Sequence, residues 1–168
     1  MFSKERLFLS AAFIFTGFLS APAAHAQPQA CFNLQSLQGS YAVIGNYGAN
    51  VAIALGTASY DGNGNLTAAL LVNEPTAGST TGARTLVTVT QTGTYTVNCN
   101  GTGQFNRITT SNGVSTSQVV DFIITGAIMQ PGQLVATAIT TAQETPSAVV
   151  AGGIFLTGTQ TRLPVFHY

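Results

Sequence analysis

The amino-acid sequence predicts an all-β fold, an eight-stranded antiparallel barrel of up-and-down order. Three observations carry that expectation. Tyr60-Asp61-Gly62-Asn63-Gly64-Asn65-Leu66 is a tight turn between two apolar alternating runs, and Asp-Gly and Asn-Gly pairs tolerate the positive φ that hairpins demand. The same grammar recurs at Ser111-Asn112-Gly113 and Gln130-Pro131-Gly132. After residue 27 no helix cap precedes an apolar stripe of helical period. Eight antiparallel strands close naturally into a small barrel, which abolishes exposed edges. A two-layer β-sandwich is the alternative.

Residues 1–26 stand apart as a secretory signal peptide. Lys4 and Arg6 leave net positive charge ahead of an apolar run from Leu7 to Leu19, and Ala24-His25-Ala26 places small residues where a signal peptidase reads. Cleavage is expected before Gln27, which places the mature chain in the periplasm or the medium. A lipid anchor at Cys31 is the rival, but Pro28 stands where a lipobox carries an aliphatic residue. The mature chain of about 142 residues fits one domain.

Residues 27–38 form a polar lead-in to that domain, which spans 39–168. Cys31 and Cys99 are an even pair in an exported chain and predict a disulfide pinning the lead-in, which would otherwise fray. A redox or metal site is the rival reading, and a metal would need more ligands than this pair and His167, the one mature histidine, supply.

The first strand runs from about Gly39 to Tyr47, with Tyr41, Val43 and Tyr47 on one face. The second, Val51 to Tyr60, sets Val51, Ile53 and Leu55 against Ala52, Ala54, Gly56 and Ala58. Its large face is expected to pack the core and its small face to be approached closely by a neighbour. Asn65 to Asn73 is the third strand, and the Gly- and Thr-rich segment Glu74 to Gly82 is a loop. Arg84 to Asn98 is either one strand bent at Gly93 or two, which would bring the count to nine. Gln104 to Thr110 follows the Asn98–Gly103 turn. In Val114 to Thr125, the run Val119-Val120-Asp121-Phe122-Ile123-Ile124 is apolar on both faces and predicts a strand covered on both sides. Leu134 to Thr141 and Ala148 to Thr159 complete the set.

Charge is sparse. After the leader only Arg84, Arg107, Arg162, Asp61, Glu74, Asp121 and Glu144 remain, with no lysine. That argues against nucleic acid and anionic membrane surfaces as partners, since both are gripped by clustered cations. No stable membrane insertion is expected once the leader is removed. The ending Val165-Phe166-His167-Tyr168 alternates as outer-membrane barrels do, but the strands lack aromatic girdles.

Leu37-Gln38-Gly39-Ser40-Tyr41, the turn segment Ala58 to Thr67, and Gly93-Thr94-Tyr95-Thr96-Val97-Asn98-Cys99-Asn100-Gly101-Thr102-Gly103 together resemble a group of uncharacterised secreted bacterial proteins. That resemblance covers most of the mature chain and implies a calycin-like or allene-oxide-cyclase-like barrel. Its motifs are turn and strand grammar, so it transfers no active site.

The chemistry is correspondingly thin. Asp61, Asn63 and Asn65 alternate like the first ligands of a calcium loop, but Val72 stands where the loop needs a bidentate Glu. His167 is the one mature histidine, and no Gly-x-Ser-x-Gly elbow exists. No catalytic residue, metal or cofactor is therefore assigned. Asp121 interrupts an apolar strand, and Arg107 on the neighbouring strand falls within diagonal range as its structural partner. The alternatives are that Asp121 anchors a ligand in the lumen or is a functional carboxylate of raised pKa, or that it faces solvent. Tyr41, Tyr47, Tyr60, Tyr95 and Phe105 are either plain core or the lining of a pocket. The candidate ligand-binding set is Tyr41, Tyr95, Phe105, Asp121 and Arg107, around a small apolar molecule in the barrel lumen. A cyclase- or isomerase-like enzyme and a structural cell-surface subunit are the rivals.

Overall fold

The computed structural model describes residues 30–47, 52–145 and 155–164. Eight antiparallel strands follow a short 3₁₀ turn at Leu34–Leu37: β1 Gly39–Asn46, β2 Ile53–Tyr60, β3 Asn65–Pro75, β4 Arg84–Val97, β5 Thr102–Ser111, β6 Val114–Gln130, β7 Gln133–Gln143 and β8 Thr157–Arg162. Each strand pairs with the next, and β1 pairs with β8 from Tyr41↔Arg162 to Asn46↔Thr157. That last pairing closes the barrel and excludes the sandwich. The leader and the Val165–Tyr168 ending lie outside the described residues. No helix among the described residues is long and apolar enough to cross a membrane.

Turn chemistry sets the registers. Asn112 (φ 49°) and Gly113 (φ 77°) both take the left-handed conformation, so a two-residue turn pairs Ser111 with Val114 and fixes every β5–β6 partner below it. At the β2–β3 turn, Asp61 Oδ1 accepts the backbone N–H groups of Asn63 (2.7 Å) and Asn65 (2.9 Å). Its Oδ2 accepts from Asn65 Nδ2 (2.6 Å). The Asp-x-Asn-x-Asn spacing thus serves the turn itself. β4 is one continuous strand, so the count is eight.

Three expectations need correction. On β2, Ile53 and Leu55 face outward, 54% and 63% exposed, while Ala52, Ala54 and Ala58 are buried inside. The inner face takes the small residues because β3 crowds it. A Cβ on Gly56 would collide with the Ala69 carbonyl oxygen and the Leu70 side chain. The strand around Asp121 is not covered on both sides either. Val120 and Phe122 point in, whereas Asp121 and Ile123 are exposed. Finally, β8 is Thr157–Arg162 rather than Ala148–Thr159, of which residues 148–154 lie outside the described residues. β8 carries no apolar alternation, which is why the apolar run before it drew the assignment.

The outward face of β1–β3 carries an apolar ladder in which Ile44 stands opposite Leu55 and Leu55 opposite Leu71. On β4 the outer face is threonine at Thr88, Thr90, Thr92, Thr94 and Thr96, while single apolar residues such as Leu86, Ile108 and Ile123 are also exposed.

The lead-in is a plug. Asn33 and Ser36 form a reciprocal capping box around the 3₁₀ turn, and Leu37 beneath it is fully buried. The turn seats against the end of the barrel where the β2–β3, β4–β5 and β6–β7 turns lie. Tyr95 donates its hydroxyl to the Leu34 carbonyl (3.0 Å), and Gln133 donates Nε2 to the Gln35 carbonyl (2.8 Å). The disulfide joins Cys31 to Cys99 as expected, and the adjacent Phe32 N–H donates to the Cys99 carbonyl (3.2 Å).

Candidate functional site

Above the plug the interior divides into a floor and an upper half. The floor is aromatic. Tyr60 meets Tyr41 and Tyr95 edge-on at 5.4 and 5.3 Å, and stacks on Phe105 at 5.5 Å. Phe105 in turn stacks on Phe122 at 4.5 Å. Leu37, Leu66, Val120, Ala136 and Ile139 pack around these rings.

The hydroxyls of this floor are satisfied by the protein. Tyr41 donates to the Ala136 carbonyl (2.8 Å) and accepts from Arg162 Nη1 (3.1 Å), whose guanidinium also lies 5.6 Å from its ring centroid. Tyr60 donates to Gln160 Oε1 (2.7 Å), and Tyr95 accepts from the Gly62 N–H (3.0 Å). Burial pushes all three phenols above their ordinary range, so they stay neutral and protonated. Of the candidate set, Tyr41, Tyr95 and Phe105 are therefore brought together, as packed core with no free polar group to offer a ligand.

Arg107 and Asp121 are not brought together. The β5–β6 register sets Arg107 opposite Gln118 and Gln104 opposite Asp121. Positions 107 and 104 are an odd number of residues apart, so their side chains leave opposite faces of the sheet. Asp121 is exposed on the outer surface, not buried, and accepts from Gln104 Nε2 (3.3 Å). Neither an interior structural role nor a lumen anchor is open to it. It borders an open outer depression of about 490 Å³, also lined by Thr96, Asn98 and Thr102. The polar groups there bond to one another, Asn98 Nδ2 to Thr102 Oγ1 (3.0 Å) among them.

Asp121 does have a charged neighbour. A hydrogen bond shared with Asp121, and the repulsion of its charge, hold the exposed Glu144 carboxyl above the ordinary carboxylate range. Asp121→Asn is expected to bring the Glu144 titration midpoint down, read by carboxyl-carbon NMR. An unchanged midpoint would break the pairing.

Arg107 points inward, into the upper half. One wall there is apolar: Ala52, Ala54, Leu70, Val72, Val87 and Val89, contributed by the β2–β4 side. The opposite wall, from β5 to β8, is polar although buried. Gln118 Oε1 accepts from both Arg107 Nε (3.2 Å) and Thr109 Oγ1 (2.9 Å), and Thr109 accepts from Gln91 Nε2 (3.2 Å). Gln143 Oε1 accepts from the Leu156 N–H (3.0 Å). Burial pulls the Arg107 guanidinium below its ordinary value, with the Tyr47 and Tyr60 hydroxyls acting in the other direction. Four of the five acidic residues are described, and none of Asp61, Glu74, Asp121 and Glu144 is buried with it.

Of this upper half, sequence reasoning singled out only Arg107. A signal was present, since Phe105-x-Arg107-x-Thr109-x-Ser111 alternates. Threonine and serine also fill the opposite parity, so the pattern did not say which face was inside.

No family model, no curated protein and no solved structure matches this chain.

Proposed function

We propose that this is an exported, non-catalytic binding protein, released to the periplasm or medium after a leader ending at Ala26, which takes a small molecule into the upper half of its barrel. The observation that carries the binding role is the two-sided upper interior, where an apolar wall from β2–β4 faces a buried polar wall from β5–β8. Ligand sites combine an apolar lining with a few placed polar groups in this way. The aromatic floor beneath is packed shut and gives that half its rigid base. Binding fits better than catalysis. Among the described residues, the interior titrating groups are tyrosines held protonated and the arginine of the polar wall, and none of these takes a proton at neutral pH.

The test is a neutral fluorophore, N-phenylnaphthylamine, titrated into the exported protein. Enhanced emission is expected from the wild type. Ala52→Phe, which fills the apolar wall, should weaken binding by about tenfold, at a stability cost of about 1–3 kcal/mol. Equal binding by both proteins would place the probe on the outer apolar ladder instead, and no enhancement at all would sink the lumen site.

A further inference from the structure

Among the described residues, three buried side-chain polar atoms lack a hydrogen-bond partner: Arg107 Nη2, Thr116 Oγ1 and Gln143 Nε2. They come from β5, β6 and β7, three adjacent strands, and all belong to the polar wall of the upper half. Buried polar groups are nearly always paired, so three orphans on one wall and none elsewhere among these residues is a directed pattern. Arg107 is 8% exposed and Gln143 is 7% exposed. Gln143 stands opposite Val120, which places it diagonal to Gln118, the partner of Arg107. The orientation of its amide is fixed, because Oε1 is held by the Leu156 N–H and Nε2 is left as the free donor.

We infer that the ligand is a small monocarboxylate with an apolar body, its carboxylate received by Arg107 Nη2 and Gln143 Nε2 and its body laid against the β2–β4 wall. This rests on the lumen reading given above. The charge argument selects the class. A lone buried cation is costly unless compensated, and no acidic side chain among the described residues reaches Arg107. One guanidinium among neutral amides and hydroxyls matches a single negative charge. A phosphate would carry a second charge into the barrel with no cation to meet it. A carboxylate also has two oxygens, one for each orphan donor.

Matched ligands that differ only at the head test this by calorimetry on the exported protein: octanoate, octanol and octyl phosphate. Octanoate is expected to bind about ten- to a hundredfold more tightly than octanol, the range of a charge-assisted hydrogen bond. Octyl phosphate should bind more weakly than octanoate. Arg107→Met should erase the preference for octanoate, and Gln143→Leu should reduce it. The wild-type comparison needs neither variant to fold. Octanol binding as tightly as octanoate would overturn the carboxylate assignment while leaving lumen binding intact, and so would octyl phosphate binding best. Failure of all three to bind would overturn the lumen reading together with the inference.

Discussion

Phe105→Ala is expected to cost about 4 kcal/mol, within the range for truncating a buried aromatic, and to lower the melting temperature by roughly 10–15 °C. Phe105 is 1% exposed and stacks on Tyr60 and Phe122 at once. Removing its ring strips a neighbour from both faces of the floor. Collapse into the gap is restricted, because Tyr60 is also tied to Gln160 and Tyr41 to Ala136 and Arg162. Phe105→Leu keeps most of the volume and should cost less than about 2 kcal/mol. Denaturant titration of the two variants side by side checks this. Equal, small losses would mean the floor repacks freely and is no rigid base.

Cys99→Ala should cost a similar amount by a different route. Joining residues 68 apart in sequence restricts the unfolded chain by about 4 kcal/mol in the loop-entropy account. The sequence alone made the lead-in a segment held by its disulfide and little else, which would then loosen first. The structure reverses that order of events. Leu37 is fully buried, the 3₁₀ turn is capped by its own side chains, and Tyr95 and Gln133 hold the Leu34 and Gln35 carbonyls. Without the bond, global stability should drop while the amides of Ser36 and Gln38, bonded to the Asn33 and Gln35 carbonyls, stay protected up to the new global limit. The Phe32 amide beside the lost bridge is the one expected to fray. Hydrogen exchange showing Ser36 and Gln38 open while the barrel amides stay closed would falsify this.

What the sequence made legible was everything local. Asn112-Gly113 dictates a two-residue turn, that turn dictates the Ser111↔Val114 register, and Arg107↔Gln118 follows by counting. What it hid was the choice of inside. β2 is apolar on both parities and the later strands carry Thr on both, so hydrophobic alternation did not vote. The choice is made by closure, which crowds the β2–β3 inner face until only Ala and Gly fit at Ala54, Gly56 and Ala58. The same parity separates Arg107 from Asp121. Three of the five candidate residues meet in the floor, one lies outside the barrel, and Arg107 alone reaches the buried polar wall of the upper half. Its neighbours on that wall, its partner Gln118 and the residues Gln143 and Thr116, are ordinary in sequence and become informative only through burial.

The β1–β8 seam sets the order in which this protein can come into being. Every other strand pairs with the one made just before it, so hairpins can zip up as the chain appears. β1, however, waits with one flank unpaired until Thr157–Arg162 exists. Until then the growing sheet has two open edges and carries the Ile44–Leu55–Leu71 ladder on its surface, the combination through which partly folded β proteins capture one another. Closing the seam joins the two ends of the domain, and contacts that distant in sequence form slowly. The danger for this chain is thus concentrated in the interval between the emergence of its first strand and its last. Once shut, it presents no edge at all.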